Sequence, residues 1–216
     1  MHDTKTRVLV AKGPNDDCSL EEASSVLQAG GLVSLPTDTV YGIAALFSDD
    51  QAVQRLYQAK ERPDEKAIPL LLASIEQLEL VCKANELAYR LAKCFWPGPL
   101  TLVVRKSDQV SQVVSATPTV ALRIPDHPLT LALIDRVGAP LAVTSANLSG
   151  HPPIIDPNKV MAGLEGRIDL LLDGGLAPGG VPSTIVDCTG EQPRILRKGP
   201  ISRDDIFGCV RLIRCC

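Results

Sequence analysis

The stretch Gly30–Ala45, GGLVSLPTDTVYGIAA, decides how the rest of the chain is read. Leu32–Leu35 is a short apolar run with a β-branched Val33, the mark of a buried strand. Pro36 has no N–H to give to a ladder, so the strand should stop there. Thr37, Asp38 and Thr39 follow, then Tyr41 and Gly42, ahead of an Ala-rich segment. Polar groups at the end of a buried strand are where an α/β protein places its ligand. The same spacing suits an ordinary strand-to-turn junction, and nothing within the stretch separates the two.

Working outward, Val8–Val10 reads as a first strand. Ser19 with Glu22 three residues on has the form of a capping box, opening a helix that Gly30-Gly31 ends. Asp49 or Asp50 starts a helix over Gln51–Lys60, with Val53, Leu56 and Tyr57 on one face. Strands are expected at Ile68–Ala73, Leu100–Arg105, Val120–Ile124, Leu141–Val143, Leu170–Leu172, from Ser183 to Asp187, and at Arg194–Arg197. Helices are expected at Ile75–Val81, Asn85–Phe95, His127–Val137, Pro157–Gly163 and Ile201–Leu212.

With 216 residues, 45% of them hydrophobic, the chain is long enough for one well-packed domain. There is no run of about 18 apolar residues, so no membrane span is expected. Met1–Lys12 has no apolar core behind a positive charge, so a secretory signal is not expected and a cytoplasmic location is. A net charge of −3 and a pI near 5.6 speak against a protein whose main task is gripping nucleic acid. A local basic cleft remains compatible with them. The seven cysteines form no C-x-x-C pair and have no histidine at zinc-site spacing. Cys82, Cys94 and Cys188 read as small buried apolar residues, and Cys215 and Cys216 as part of a frayed end.

Other polar groups stand out. Pro63 disfavours helical geometry at Arg62, so Lys60 and Arg62 should project from a helix end, with Lys66 close by. With Glu61, Asp64 and Glu65 between them this is either a solvated turn or a phosphate clamp. Arg123, inside a short apolar strand, either snorkels outward or binds an anion. Thr144–Gly150 and Ser183-Thr184 are further hydroxyl and amide loops at strand ends. His127 and His151 lie in proline turns, where a surface position is expected, and no Ser–His–Asp set, Walker loop or dinucleotide fingerprint is present. Such groups suit binding and charge stabilisation, without a covalent nucleophile.

Read together, these segments carry a resemblance. Leu35–Gly42 (LPTDTVYG), Lys60-x-Arg62-Pro63, Trp96–Thr101 (WPGPLT) and Arg123-Ile124-Pro125 occur in that order. Thr144–Gly150 (TSANLSG), Asp173-Gly174-Gly175, Ser183–Asp187 (STIVD) and Arg197-Lys198-Gly199 follow. The collinear set resembles the YrdC-like threonylcarbamoyl-AMP synthases, from about residue 16 to residue 206. The resemblance implies a single α/β domain, a twisted mixed sheet with flanking helices around a concave cleft. It places a lead-in at 1–15, the catalytic domain at 16–206 and a tail at 207–216. It implies formation of threonylcarbamoyl-AMP and pyrophosphate from L-threonine, bicarbonate and ATP, with a divalent cation, usually Mg2+. A separate transferase would carry the product to the adenosine beside the tRNA anticodon.

By the same resemblance, Thr37, Arg123 and Ser183 should hold threonine, Arg123 taking its carboxylate. Lys60, Arg62, Ser115, Ser145, Asn147 and Arg197 should meet ATP, with Lys60, Arg62, Ser145 and Asn147 as the catalytic set. Tyr41 and Lys66 would line the site, and no protein metal ligand is implied. The chain departs from many relatives in having Ala67 for proline, and from some in having Leu71 where a histidine touches threonine. By the same resemblance, a chain that ends near residue 216 is expected to match the short subclass. Two other functions share these motifs: an RNA-binding protein of the same fold, with weak tRNA affinity, and a paralogue forming another carbamoyl or acyl adenylate.

Overall fold

Val33–Leu35 does form a buried strand, β2, in the computed structural model, which describes residues 5–61 and 67–212. It follows strand β1 (Arg7–Val10) and helix α1 (Asp17–Gln28). β3 (Gly42–Leu46) and α2 (Asp50–Ala59) come next, then β4 (Leu70–Leu71). A short 3-10 turn leads into α3 (Leu78–Val81) and β5 (Cys82–Lys83). α4 (Glu86–Phe95), β6 (Leu100–Lys106), β7 (Thr119–Arg123), α5 (Pro128–Val137) and β8 (Leu141–Ser145) form the middle of the chain. α6 (Pro157–Leu164), β9 (Leu170–Asp173), β10 (Thr184–Asp187), β11 (Arg194–Arg197) and α7 (Arg203–Leu212) complete it. The described strands join one mixed sheet in the order β1-β9-β2-β3-β8-β4-β7-β6-β10-β11, with β5 on β6. No helix of the described residues is long and apolar enough to cross a membrane.

Two apolar layers sandwich the sheet. Leu70, Leu102 and Leu122 point into the layer built by α2, α4 and α6. Leu71, Leu141 and Val143 point to the other side, packed against α1 and α5. Side chains alternate along a strand. Arg123 and Thr101 therefore share the second face with Leu71. On that face α1 packs on β2, β3 and β9 and against α5.

Several expectations change. Gly42–Leu46 is a strand that its composition hides, since glycine and alanine are poor strand formers. Tertiary pairing wins: β3 is antiparallel to both β2 and β8, and a Cβ on Gly42 would lie 2.6 Å from Val143 Cγ1. The cap of α1 is Asp16, which accepts from the Ser19 amide and hydroxyl; Ser19 is thus inside the first turn. The Ile68–Ala73 run pairs only at Leu70–Leu71, and the helix expected over Ile75–Val81 is split into a 3-10 turn and α3.

Cys94 is exposed on α4 and bonded to Cys209 of α7, at a Cα separation of 6.7 Å across 115 residues. This corrects its reading as a buried apolar thiol: only the docking of α7 on α4 brings the partner near. Cys82 and Cys188 are buried and free, their thiols pushed up by burial to about 11 and about 12. Closing so long a loop restrains the unfolded chain by up to about 4–5 kcal/mol. Cys94→Ser should therefore lower Tm by about 5–10 °C, and reductant should lower the Tm of the unaltered protein but not of the variant. Coincident melts of all samples would show that the bond adds nothing.

Candidate functional site

Thr37 opens a tight turn. Its hydroxyl accepts from the amides of Thr39 (3.1 Å) and Val40 (3.2 Å) and donates to the Val40 carbonyl (2.7 Å). This is the self-bonding that makes threonine a turn former. It leaves Asp38 and Thr39 pointing at Arg123. Arg123 donates to Asp38 Oδ1 at 2.5 Å, to Thr39 Oγ1 at 3.0 Å and to the Gly98 carbonyl at 2.9 Å. None of the three partners is on its own strand, and the Arg123–Asp38 pair is nearly dry, with side-chain exposures of 7% and 11%. Arg123 does not snorkel. A guanidinium carries five N–H donors. These bonds occupy one on Nε and one on each terminal nitrogen, so each terminal nitrogen keeps a donor for an anion. Leu71, paired with Arg123 in the β4–β7 ladder, gives an apolar wall beside it.

Ser183, just ahead of β10, sits on the neighbouring strands. Its hydroxyl is hydrogen-bonded to Thr101 Oγ1 (2.7 Å) and accepts from Arg197 Nη2 (3.1 Å). Arg197 also grips the Ser183 carbonyl at 3.0 and 2.9 Å. Burial, and after it the like charge of Arg123, lower the Arg197 pKa; burial lowers that of Arg123 against the pull of Asp38. Both stay protonated at neutral pH. Two cations that feel each other in a partly dry space are stabilised by an anion placed between them.

Lys60 caps α2 and is only 2% exposed. Its ammonium donates to the Ser145 carbonyl and to Ser145 Oγ (3.2 Å), and its carbonyl accepts from the Ser149 amide. Asn147 donates to the carbonyls of Leu148 (2.9 Å) and His151 (2.8 Å), while its buried Oδ1 has no partner among the described residues. An orphaned acceptor of this kind costs about 1–3 kcal/mol unless something donates to it. Lys60, Ser145 and Asn147 are thus brought together, at the end of β8. The expected Arg62 and Lys66 lie outside the described residues.

Tyr41 bridges the two groups through its backbone: its carbonyl accepts from Ala146 N (2.8 Å), next to the Gly42–Ser145 pair of the β3–β8 ladder. Its phenol, expected to line the site, instead bonds to backbone, donating to the Gly175 carbonyl (2.6 Å) and accepting from the Gly174 amide (3.2 Å). Ser115 is buried and bonds within its own loop, to Thr117 Oγ1 at 3.0 Å. That loop and the end of α2 form a groove lined by Tyr57, Gln58, Glu61, Gln112, Val113 and Ala116. Asp38 and Thr101 were not singled out as site residues; an arginine in an apolar strand was the signal that a buried carboxylate had to lie somewhere near. His127, expected at the surface, is half-buried at the start of α5, with Nδ1 unpartnered among the described residues and its pKa lowered by burial against the pull of Asp38 and Asp126.

Comparisons with known proteins bear on the family and the fold. The family Sua5_yciO_yrdC, described as "Telomere recombination", matches residues 25–199. A threonylcarbamoyl-AMP synthase of Bacillus subtilis is 42% identical over 88% of this chain and 56% of its own length. A putative threonylcarbamoyl-AMP synthase of Mycobacterium tuberculosis is 42% identical over 85% of each chain. The crystal structure of P. abyssi Sua5 complexed with L-threonine superposes with a TM-score of 0.91 at 38% identity, covering 96% of this chain and 61% of that one. The chain thus spans little more than half of some relatives that it matches.

Proposed function

This chain belongs to the Sua5_yciO_yrdC family, and on that premise we propose that it condenses L-threonine, bicarbonate and ATP to threonylcarbamoyl-AMP and pyrophosphate. The observation that carries the reading is the Arg123 fork, buried and anchored by Asp38, with donors to spare beside Arg197. That is a preorganised carboxylate receptor. Thr37 shapes the turn that holds it, and Ser183, fixed between Thr101 and Arg197, orients the amino acid.

On the other side, Lys60, Ser145 and Asn147, together with Arg62, face the triphosphate, with Arg197 between the two halves and Ser115 on the nucleotide side. The threonine amine and bicarbonate combine to a carbamate with loss of water. A carbamate oxygen then attacks the α-phosphorus in line, the bond to the β-phosphate oxygen breaks, and pyrophosphate leaves. The side chains position and neutralise charge; none becomes covalently bonded. Mg2+ enters as the counter-ion of the triphosphate. The product passes, in the cytoplasm, to a separate transferase that modifies tRNA.

The test is mass detection of the adenylate from ATP, bicarbonate and a panel of amino acids. The expected result is a threonylcarbamoyl adenylate, absent without bicarbonate, with serine and valine giving far less. An adenylate formed equally from any amino acid, or none formed, overturns the reading.

A further inference from the structure

Tyr41 is buried, and its phenol hydrogen-bonds to the backbone at Gly174 and Gly175. Those residues begin a strap, 174–182, that leaves β9 and runs directly into Ser183. Midway the strap lies on the Asp38–Thr39 turn. Gly180 donates to the Thr39 carbonyl at 2.6 Å, and a Cβ on Gly179 would stand 2.5 Å from the Asp38 carbonyl oxygen and 2.8 Å from Thr39 Cα. The root of the strap packs on Pro36, which precedes the same turn. Ala177 is the one strap residue besides these that is tied down, by a bond from its amide to the Ile155 carbonyl among the described residues. Leu176 and Val181 are exposed, and Ala177 is the strap residue that packs into the apolar core among the described residues.

We propose that Tyr41 is a positioning residue for the amino-acid half of the site, holding the strap so that Asp38–Thr39, and through them Arg123, stay at one setting while Ser183 is delivered at the far end. Its chain of contact is short: phenol to Gly174-Gly175, strap glycines to the Asp38–Thr39 backbone, Asp38 and Thr39 to Arg123. Burial pushes the phenol above its ordinary pKa, so it remains a neutral donor and acceptor across the working range.

Two variants test it. Tyr41→Phe removes only the hydroxyl. Gly179→Ala leaves the Tyr41 clamp in place and pushes the strap off the turn. Amide exchange reads the clamp without reference to any reaction: in Tyr41→Phe the amides of Gly174 and Gly180 should exchange at least tenfold faster, with Val143 in β8 unchanged. Kinetics, which rest on the proposed function, should show a threonine KM raised tenfold or more in both variants and an ATP KM within twofold of the unaltered value. Unchanged strap exchange in Tyr41→Phe, or equal movement of both KM values, or movement of neither, overturns the proposal. If the unaltered protein makes no adenylate, the proposed function fails while the exchange arm still decides whether Tyr41 clamps the strap.

Discussion

Arg123→Met should abolish threonine binding and cost the fold about 3–5 kcal/mol, the usual penalty for leaving one charge of a buried pair alone. The methionine fills the space but strands the Asp38 carboxylate, which is 11% exposed, and removes the donors to Thr39 and Gly98. In a domain of this size that is a fall in Tm of about 10 °C or more. Stability and recognition separate in the double variant. Arg123→Met with Asp38→Asn no longer buries an unpaired charge, so part of the lost stability should return. Threonine affinity should not, because the carboxylate receptor is still missing. Calorimetric titration with threonine, beside thermal melts, reads both. Full threonine affinity in either variant would remove Arg123 from the site.

Lys60→Ala should lower the rate of adenylate formation by roughly 10²–10³-fold, by analogy with the loss of a preorganised donor to developing negative charge. The effect falls on kcat and on the ATP KM, since Lys60 is bonded to Ser145 on β8 while the described partners of Arg123 are Asp38, Thr39 and Gly98. Threonine affinity measured without nucleotide should stay within about threefold. Steady-state kinetics of pyrophosphate release test this directly. A Lys60→Ala enzyme working near the normal rate would make the buried ammonium a structural prop for the Ser145 carbonyl.

Much of this arrangement was legible before any coordinates. The apolar run before Pro36 gave β2, the helix expected from Asp49 or Asp50 is α2 with Asp49 as its cap, and the hydroxyl clusters at Thr37, Ser145 and Ser183 lie at or beside strand termini. Local chemistry sufficed because proline, capping side chains and turn formers act over a few residues. What failed was non-local. β3 is made a strand by its two neighbours, not by GIAAL itself. Cys94 finds Cys209 only after α7 docks. The alternatives for Arg123, outward or anion-bound, missed a further state, a buried pair with Asp38 that still has donors free. The resemblance implied a lining role for Tyr41; that its phenol reaches the Gly174–Gly175 backbone is a contact across 133 residues that no local pattern announces.

The central claim is spatial: the threonine receptor at Arg123 and the triphosphate groups at Lys60 open onto one hollow. A crystal structure with threonine and a non-hydrolysable ATP analogue bound together tests it most directly. Expected is threonine with its carboxylate on Arg123 and the triphosphate against Lys60, leaving room for one carbamate between the amine and the α-phosphorus. Threonine and nucleotide on separate faces of the sheet, or the nucleotide bound away from Lys60, would contradict it.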